Sequence, residues 1–154
     1  MDTLGLLIVD SARLLRAAFE RRIAQAGLGL TPGEARALLN IAAVDGSRQL
    51  DIAARMGVEP MTLCAYLDKL QALGLIERQQ CSADRRAKRI NLTQASEEMI
   101  GALRTELGVI IAQATEGLGE DNNRILREAL ASFNVNLQAL NPIQAPQTGS
   151  DESR

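Results

Sequence analysis

The spacing of apolar residues along the chain predicts a mostly helical protein. Apolar side chains recur every three or four residues, the period of an amphipathic helix, over residues 4–26, 32–44, 48–56, 60–73, 94–114 and 121–140. Glycines follow most of these segments, as at Gly27, Gly57 and Gly74. Thr31 and Glu34 have the spacing of a capping box, which predicts that the second helix begins between them.

The third and fourth of these helices are short, and a tight turn containing Gly57 joins them. Two short helices joined in this way form a helix-turn-helix arrangement. Leu50, Ala53 and Val58 are predicted to supply the apolar contacts between the two helices. The fourth helix would then be the recognition helix of a DNA-binding module.

A strongly cationic segment follows the recognition helix. Over residues 78–93 the sequence RQQCSADRRAKRINLT has five positive side chains and one negative one. Leu75 and Ile76 begin a strand, Ile90 and Leu92 share one face of its partner, and residues 81–86 form the predicted tip. Such a hairpin next to a helix-turn-helix is a wing that attracts DNA phosphates. Thr93 is predicted to cap the next helix.

The composition restricts the functions that are open to the chain. The chain has 154 residues, a formal net charge of −2 and a pI near 5.2, so it is not a basic protein that covers nucleic acid non-specifically. Any DNA binding must come from a local cationic patch. Because the chain has no histidine, Ser-His and Cys-His catalysis and His-ligated zinc are excluded. We therefore expect no enzyme activity, no metal and no cofactor.

The sequence also predicts a cytoplasmic protein. No apolar run reaches the roughly 18 to 20 residues that a membrane span needs. The first residues lack the basic region of a secretory signal, and two cysteines fit a reducing compartment.

The terminal helices are too apolar for a small DNA-binding core to cover. We expect residues 1–30 and 94–140 to form a helical dimerisation region around a winged helix-turn-helix domain at residues 31–93. A twofold homodimer would present two recognition helices about 34 to 36 Å apart. Residues 141–154 are polar, contain two prolines and are predicted to be disordered.

The order of helix, helix, helix-turn-helix, basic wing and two further helices resembles the MarR family of bacterial transcriptional regulators. The wing and the preceding LDKLQALGLIERQ look most like its SlyA branch, with a close resemblance over about residues 48–96. The resemblance implies a homodimer that binds a palindromic operator and often releases it when a small aromatic carboxylate or phenolic ligand enters a cleft. Members of this branch commonly have Arg where this chain has Ala65, so the operator preference cannot be carried over.

The resemblance also assigns roles in DNA binding. Arg86 would enter the minor groove with Asp84 holding its guanidinium, and Arg85 would meet phosphates or groove edges. The recognition helix would turn Leu63, Leu67 and Leu70 inward and its opposite face toward DNA. The predicted DNA contacts are Ser47, Gln49, Pro60, Met61, Thr62, Cys64, Ala65, Lys69, Arg78, Ser82, Asp84, Arg85, Arg86 and Lys88.

Arg13 and Arg16 lie one turn apart on the first helix and could hold a carboxylate ligand. Salt bridges, such as Arg16 with Glu20, are the alternative. The remaining candidates for the lining of a ligand pocket are Ala17, Leu38 and Tyr66.

Two further functions stay open at this point. Cys81 lies among cations that would lower the pKa of its thiol, and oxidation of Cys64 on the DNA-facing helix could block docking, although two inert thiols are the favoured alternative. The chain could also be a helical dimeric module that binds protein and keeps a winged-helix shape, because Ala65 weakens the recognition helix as a reader of DNA.

Overall fold

The computed structural model describes residues 3–81 and 84–141, with the backbone alone for residues 81 and 84–87. The described residues confirm a mainly helical fold with a two-stranded antiparallel hairpin. The elements are α1 (Leu4–Ala26), α2 (Pro32–Ala43), α3 (Gln49–Met56), α4 (Pro60–Ala72), β1 (Ile76–Cys81), β2 (Asp84–Leu92), α5 (Ser96–Ala114) and α6 (Gly119–Leu140). The chain divides into two compact units, residues 1–114 and 115–154. Apart from Asn141, the tail predicted over residues 141–154 lies outside the described residues.

The predicted helix boundaries follow from local capping. The Thr31 hydroxyl accepts a hydrogen bond from the Glu34 amide, and the Glu34 carboxylate accepts one from the Thr31 amide, so the capping box is confirmed. Helix α1 ends at Gly27, whose φ of 64° is the left-handed conformation that glycine adopts without strain.

The core of the first unit lies among α1 to α5 and the base of the hairpin. Helix α2 is its centre, because it packs against α1, α3, α4, α5 and β2. The core contains Phe19, Ile23, Leu30, Ala35, Ala37, Leu38, Ile41, Ile52, Ala53, Met56, Leu63, Leu67, Leu70, Leu75, Ile76, Ile90, Ile100, Leu103 and Ile110. Aliphatic side chains supply nearly all of this packing, as the scarcity of aromatic residues in the sequence requires.

The hairpin is longer than predicted. Cys81 pairs with Asp84, so the strands continue through most of the segment predicted as the tip. A register shift between Gln80 and Cys81 accommodates the additional residues of β2. At its base, the Gly46 amide donates to the Ile90 carbonyl oxygen at 2.9 Å, which ties the hairpin to the loop after α2.

The predicted cap of the fifth helix is wrong. The Thr93 hydroxyl donates to the Gly74 carbonyl oxygen at 2.6 Å, and α5 begins three residues later at Ser96. The Ser96 hydroxyl, which is buried, donates to the Thr93 carbonyl oxygen at 2.7 Å. Thr93 thus joins the end of the hairpin to the turn after α4, a contact that the local sequence pattern does not show.

Exposed apolar side chains are concentrated on two helices. They include Leu4, Leu6, Leu7, Val9, Leu14 and Leu15 on α1, and Ile125, Leu126, Leu130, Val135, Leu137 and Leu140 on α6. None of the helices in the described part of the chain combines the length and apolarity that crossing a bilayer requires.

Candidate DNA-binding interface

Helix α4 has one buried face and one exposed face. Leu63, Leu67 and Leu70 have no exposed surface, as predicted. These residues are spaced by four and three positions, so they form one stripe against the core. The opposite side carries the predicted DNA contacts Pro60, Met61, Thr62, Ala65 and Lys69, all of which are exposed.

The turn between α3 and α4 has the predicted glycine. Gly57 has a φ of 65° and ends α3. The Val58 amide donates a hydrogen bond to the Ala53 carbonyl oxygen at 3.1 Å. Leu50 does not join the apolar contact between the helices, because 67% of its surface is exposed. The buried face of α3 consists of Ile52, Ala53 and Met56, and the helical period places Leu50 away from it.

Arg78 at the start of the hairpin is bound to α4. Its Nη2 donates to Asp68 Oδ1 at 2.7 Å and to the Cys64 carbonyl oxygen at 3.2 Å. The Arg78 side chain is only 13% exposed, and its buried Nε meets no hydrogen-bond partner among the residues that the structure describes. Arg78 therefore holds α4 and the hairpin together. Asp68 was missed by sequence reasoning because the partner lies ten residues away on another element.

The described part of the wing has two exposed cations on β2. Lys88 is exposed and pairs in register with Gln80. Arg89 is also exposed, and its Nη1 donates to the Gly46 carbonyl oxygen at 2.9 Å, so this cation braces the base of the wing. Of the other predicted wing contacts, Ser82 and the side chains of Asp84, Arg85 and Arg86 lie outside the described residues, as does the Cys81 side chain.

Ser47 and Gln49 flank the beginning of α3. The Ser47 carbonyl oxygen accepts from the Ile90 amide at 3.0 Å, and Gln49 is the first helical residue. The residue at the N-cap, Arg48, provides no side-chain hydrogen bond to the helix. Ser47 and Gln49 are both half-buried, so their side chains are less open to a partner than the face of α4. Cys64 is likewise half-buried.

The predicted ligand residues do not come together. Arg16 lines a cavity of about 240 Å³ on α1, α2 and α5, whose other lining residues are Ala12, Leu15, Phe19, Arg36, Leu39, Asn40 and Leu107. Arg13 pairs instead with Asp10 at 3.3 Å, and Leu38 is completely buried in the core. Glu20 lies 4.0 Å from Arg36 rather than in the predicted pair with Arg16.

The cavity has two polar residues that the sequence reasoning missed, Arg36 and Asn40. The Asn40 amide nitrogen donates to the Arg36 carbonyl oxygen at 2.8 Å, and its oxygen accepts from Arg55 Nε at 3.1 Å. Asn40 therefore connects the cavity with α3, the first helix of the helix-turn-helix. Ala17 is exposed, and the Tyr66 ring lies against Gly33, so neither lines this cavity.

Comparison with known proteins identifies the fold. The sequence model of the MarR family matches residues 28–87. The transcriptional regulator PA3341 is 29% identical, with a TM-score of 0.69 over 89% of this chain and 99% of that protein. The chain has the fold of a MarR-family transcriptional regulator.

Two other MarR-family structures show the same architecture. Apo MarR from E. coli is 19% identical, with a TM-score of 0.72 over 86% of this chain and 97% of that protein. The repressor CouR, in a structure bound to a 23-mer DNA duplex, is 27% identical, with a TM-score of 0.64 over 86% of this chain and 92% of CouR. The segment that matches the MarR family contains α2, α3, α4, β1 and the beginning of β2. The exposed face of α4 thus lies within the matched segment.

Proposed function

We propose that this MarR-family fold is a transcriptional regulator that binds a palindromic DNA operator as a homodimer. The observation that carries the proposal is the exposed face of α4, held by Arg78 and Asp68 to the hairpin that carries the cationic run. CouR, whose structure contains a DNA duplex, shares this architecture. The cationic sequence of the wing also supports membership of the SlyA-like branch. In this proposal the protein acts in the bacterial cytoplasm.

The overall charge of the chain agrees with a local interface. A protein with a formal net charge of −2 gains little from general attraction to DNA. Lys69 on α4 and Lys88 on β2 are exposed cations that can meet phosphates on either side of a groove. By resemblance to the MarR family, Arg85 and Arg86 add further contacts with DNA near the tip of the wing. Operator binding should therefore weaken steeply as the salt concentration rises.

Replacement of one wing arginine tests the DNA-binding part of the proposal. Arg86→Ala should weaken operator binding by about 1 kcal/mol or more, because a groove contact is lost, and should reduce the salt dependence. The measurement is a fluorescence-anisotropy titration against an operator selected from a random DNA pool. Arg21→Ala is the matched control, because it removes the same charge from an exposed position on α1.

Equal affinity of the Arg86→Ala protein and the parent would overturn the role of the wing. Failure of the parent to retain any duplex at moderate salt would overturn DNA binding itself and favour a protein-interaction module. A redox response is tested with Cys64→Ser and Cys81→Ser together, where an unchanged response of DNA binding to peroxide excludes the thiols.

The cavity on α1, α2 and α5 is our candidate for an effector site. Its volume of about 240 Å³ is slightly below the range for drug-sized ligands, so a single aromatic ring is the appropriate size. Leu15, Phe19 and Leu107 provide apolar walls, and Arg16 and Arg36 provide cations for a carboxylate. We propose that a small aromatic carboxylate or phenolic ligand binds here and lowers the affinity for DNA.

Calorimetric titration with 2-hydroxybenzoate tests this site. Arg36→Ala should weaken binding about tenfold, since a charge-assisted hydrogen bond contributes about 1.5 kcal/mol or more. Arg13→Ala is the control, because that arginine pairs with Asp10 and does not line the cavity. Equal binding by both variants would exclude the cavity as the site of the carboxylate.

A further inference from the structure

The DNA-facing side of α4 has very little hydrogen-bonding capacity at its beginning. Between Pro60 and Ala65, the exposed side chains are those of Pro60, Met61, Thr62 and Ala65. The Thr62 hydroxyl is the one strong hydrogen-bonding group among them, and Met61 is 85% exposed. The first turns of a recognition helix are the part that reaches base edges in the major groove. This surface is therefore mostly methyl and methylene groups where base contacts are expected.

Two polar side chains in the second half of α4, Asp68 and Tyr66, already make contacts within the protein. Asp68 could accept a hydrogen bond from cytosine, but its Oδ1 is held by Arg78 at 2.7 Å. Tyr66 turns its ring toward Gly33 at the beginning of α2. Lys69 is exposed a full two turns after Thr62, where its ammonium can meet a phosphate.

A surface of this composition discriminates bases through their apolar groups. Guanine is read by bidentate Arg or Lys and adenine by Asn or Gln, and none of these side chains lies between Pro60 and Ala65. Thymine alone presents a methyl group in the major groove, and alanine and threonine methyls contact it. We propose that Met61, Thr62 and Ala65 read thymine C5-methyl groups, so that each operator half-site carries contacted thymines. This inference rests on the proposed DNA-binding function.

Removal of single methyl groups from the DNA tests the inference directly. The operator is first selected from a random pool with the intact protein, and each thymine in a half-site is then replaced by deoxyuridine. This change deletes the C5-methyl and keeps the base pair and the O4 acceptor. At least one position should lose affinity about fourfold, the factor that corresponds to one buried methylene group.

A variant links the methyl effect to a residue. Ala65→Gly removes the methyl partner on the protein, so it should bind the thymine and deoxyuridine duplexes almost equally at the position that Ala65 contacts. Ala72→Gly is the matched control, because Ala72 is exposed near the end of the same helix. It should retain the fourfold difference. Thermal unfolding of both variants separates a general loss of helix stability from the specific effect.

The outcomes distinguish this inference from the function on which it rests. If the protein selects an operator but binds the fully deoxyuridine-substituted half-sites as tightly as the parent duplex, methyl reading is wrong and DNA binding stands. If 7-deazaguanine substitution abolishes binding while deoxyuridine has no effect, the helix reads guanine and the inference is overturned. If no sequence is bound, the proposed function and this inference both fail.

Discussion

At the scale of single residues, a close contact between Gly33 and Tyr66 joins α2 to α4. A Cβ added to Gly33 would lie 2.5 Å from both Cζ and Oη of Tyr66. No real Cβ contact is so short, so the ring can lie against the backbone of α2 only because residue 33 has no side chain. Gly33 thereby allows the Tyr66 ring of α4 to pack against the beginning of α2.

Gly33→Ala should consequently lower the free energy of unfolding by about 1 to 3 kcal/mol through overpacking. Gly101→Ala is the matched control, because this helical glycine in α5 has no atom within 4 Å of the added Cβ, and it should stabilise the protein by up to about 1 kcal/mol. Urea unfolding measures both changes. In a Tyr66→Leu background the Gly33→Ala penalty should shrink, and an unchanged penalty would show that the ring is not the obstacle.

At the scale of elements, one ion pair attaches β1 to α4. The Arg78 side chain is mostly buried and the Asp68 side chain is mostly exposed. An exposed carboxylate on α4 therefore pairs with a guanidinium that has little contact with water. Arg78 donates a second hydrogen bond to the Cys64 carbonyl oxygen, so β1 is attached to α4 at two points rather than one. The wing and the recognition helix are therefore expected to dock on DNA as one piece.

Asp68→Ala leaves the buried guanidinium without its carboxylate and should cost about 1 to 2 kcal/mol in unfolding free energy. Asp10→Ala removes a carboxylate from an exposed pair with Arg13 and should change stability by less than about 0.5 kcal/mol. Thermal or urea unfolding compares the two variants. Equal effects would mean that the Arg78 pair is no more than a surface contact.

At the scale of the whole molecule, exposed leucines on α1 and α6 support the proposed homodimer. On α6, Leu126, Leu130, Leu137 and Leu140 lie on one stripe of the helix, and all are exposed in the single chain. Isolated exposed leucines are common, but a continuous apolar stripe on a terminal helix favours burial against a second copy.

The double variant Leu130→Lys with Leu137→Lys should shift sedimentation from dimer to monomer. It should also lower operator affinity more than tenfold, because each half-site would be bound without its partner. Ala131→Lys with Gln138→Lys adds the same two charges to exposed positions on the other side of α6 and should leave the dimer intact. Persistence of the dimer in the first variant would place the interface elsewhere.

The sequence by itself determined the features that depend on neighbours along the chain. The bounds of α1, the capping box at Thr31 and the turn at Gly57 follow from helical periodicity and from local backbone preferences. The buried face of α4 could be predicted from the sequence for the same reason, since Leu63, Leu67 and Leu70 recur at the helical period.

Only the tertiary structure decided which distant side chains meet. The hydrogen bond from Arg78 to Asp68 and the cavity that both Arg16 and Arg36 line involve residues on different elements, and the spacing of these residues in the chain does not predict that they come together. The same is true of Thr93. Its position in the sequence is typical of a helix cap, but in the fold its hydroxyl donates a hydrogen bond to the Gly74 carbonyl oxygen. Local backbone and side-chain preferences determine where helices and strands form. The packing of the whole chain determines which polar groups form hydrogen bonds with each other, because a polar atom can bond only to groups that the fold brings within hydrogen-bond distance.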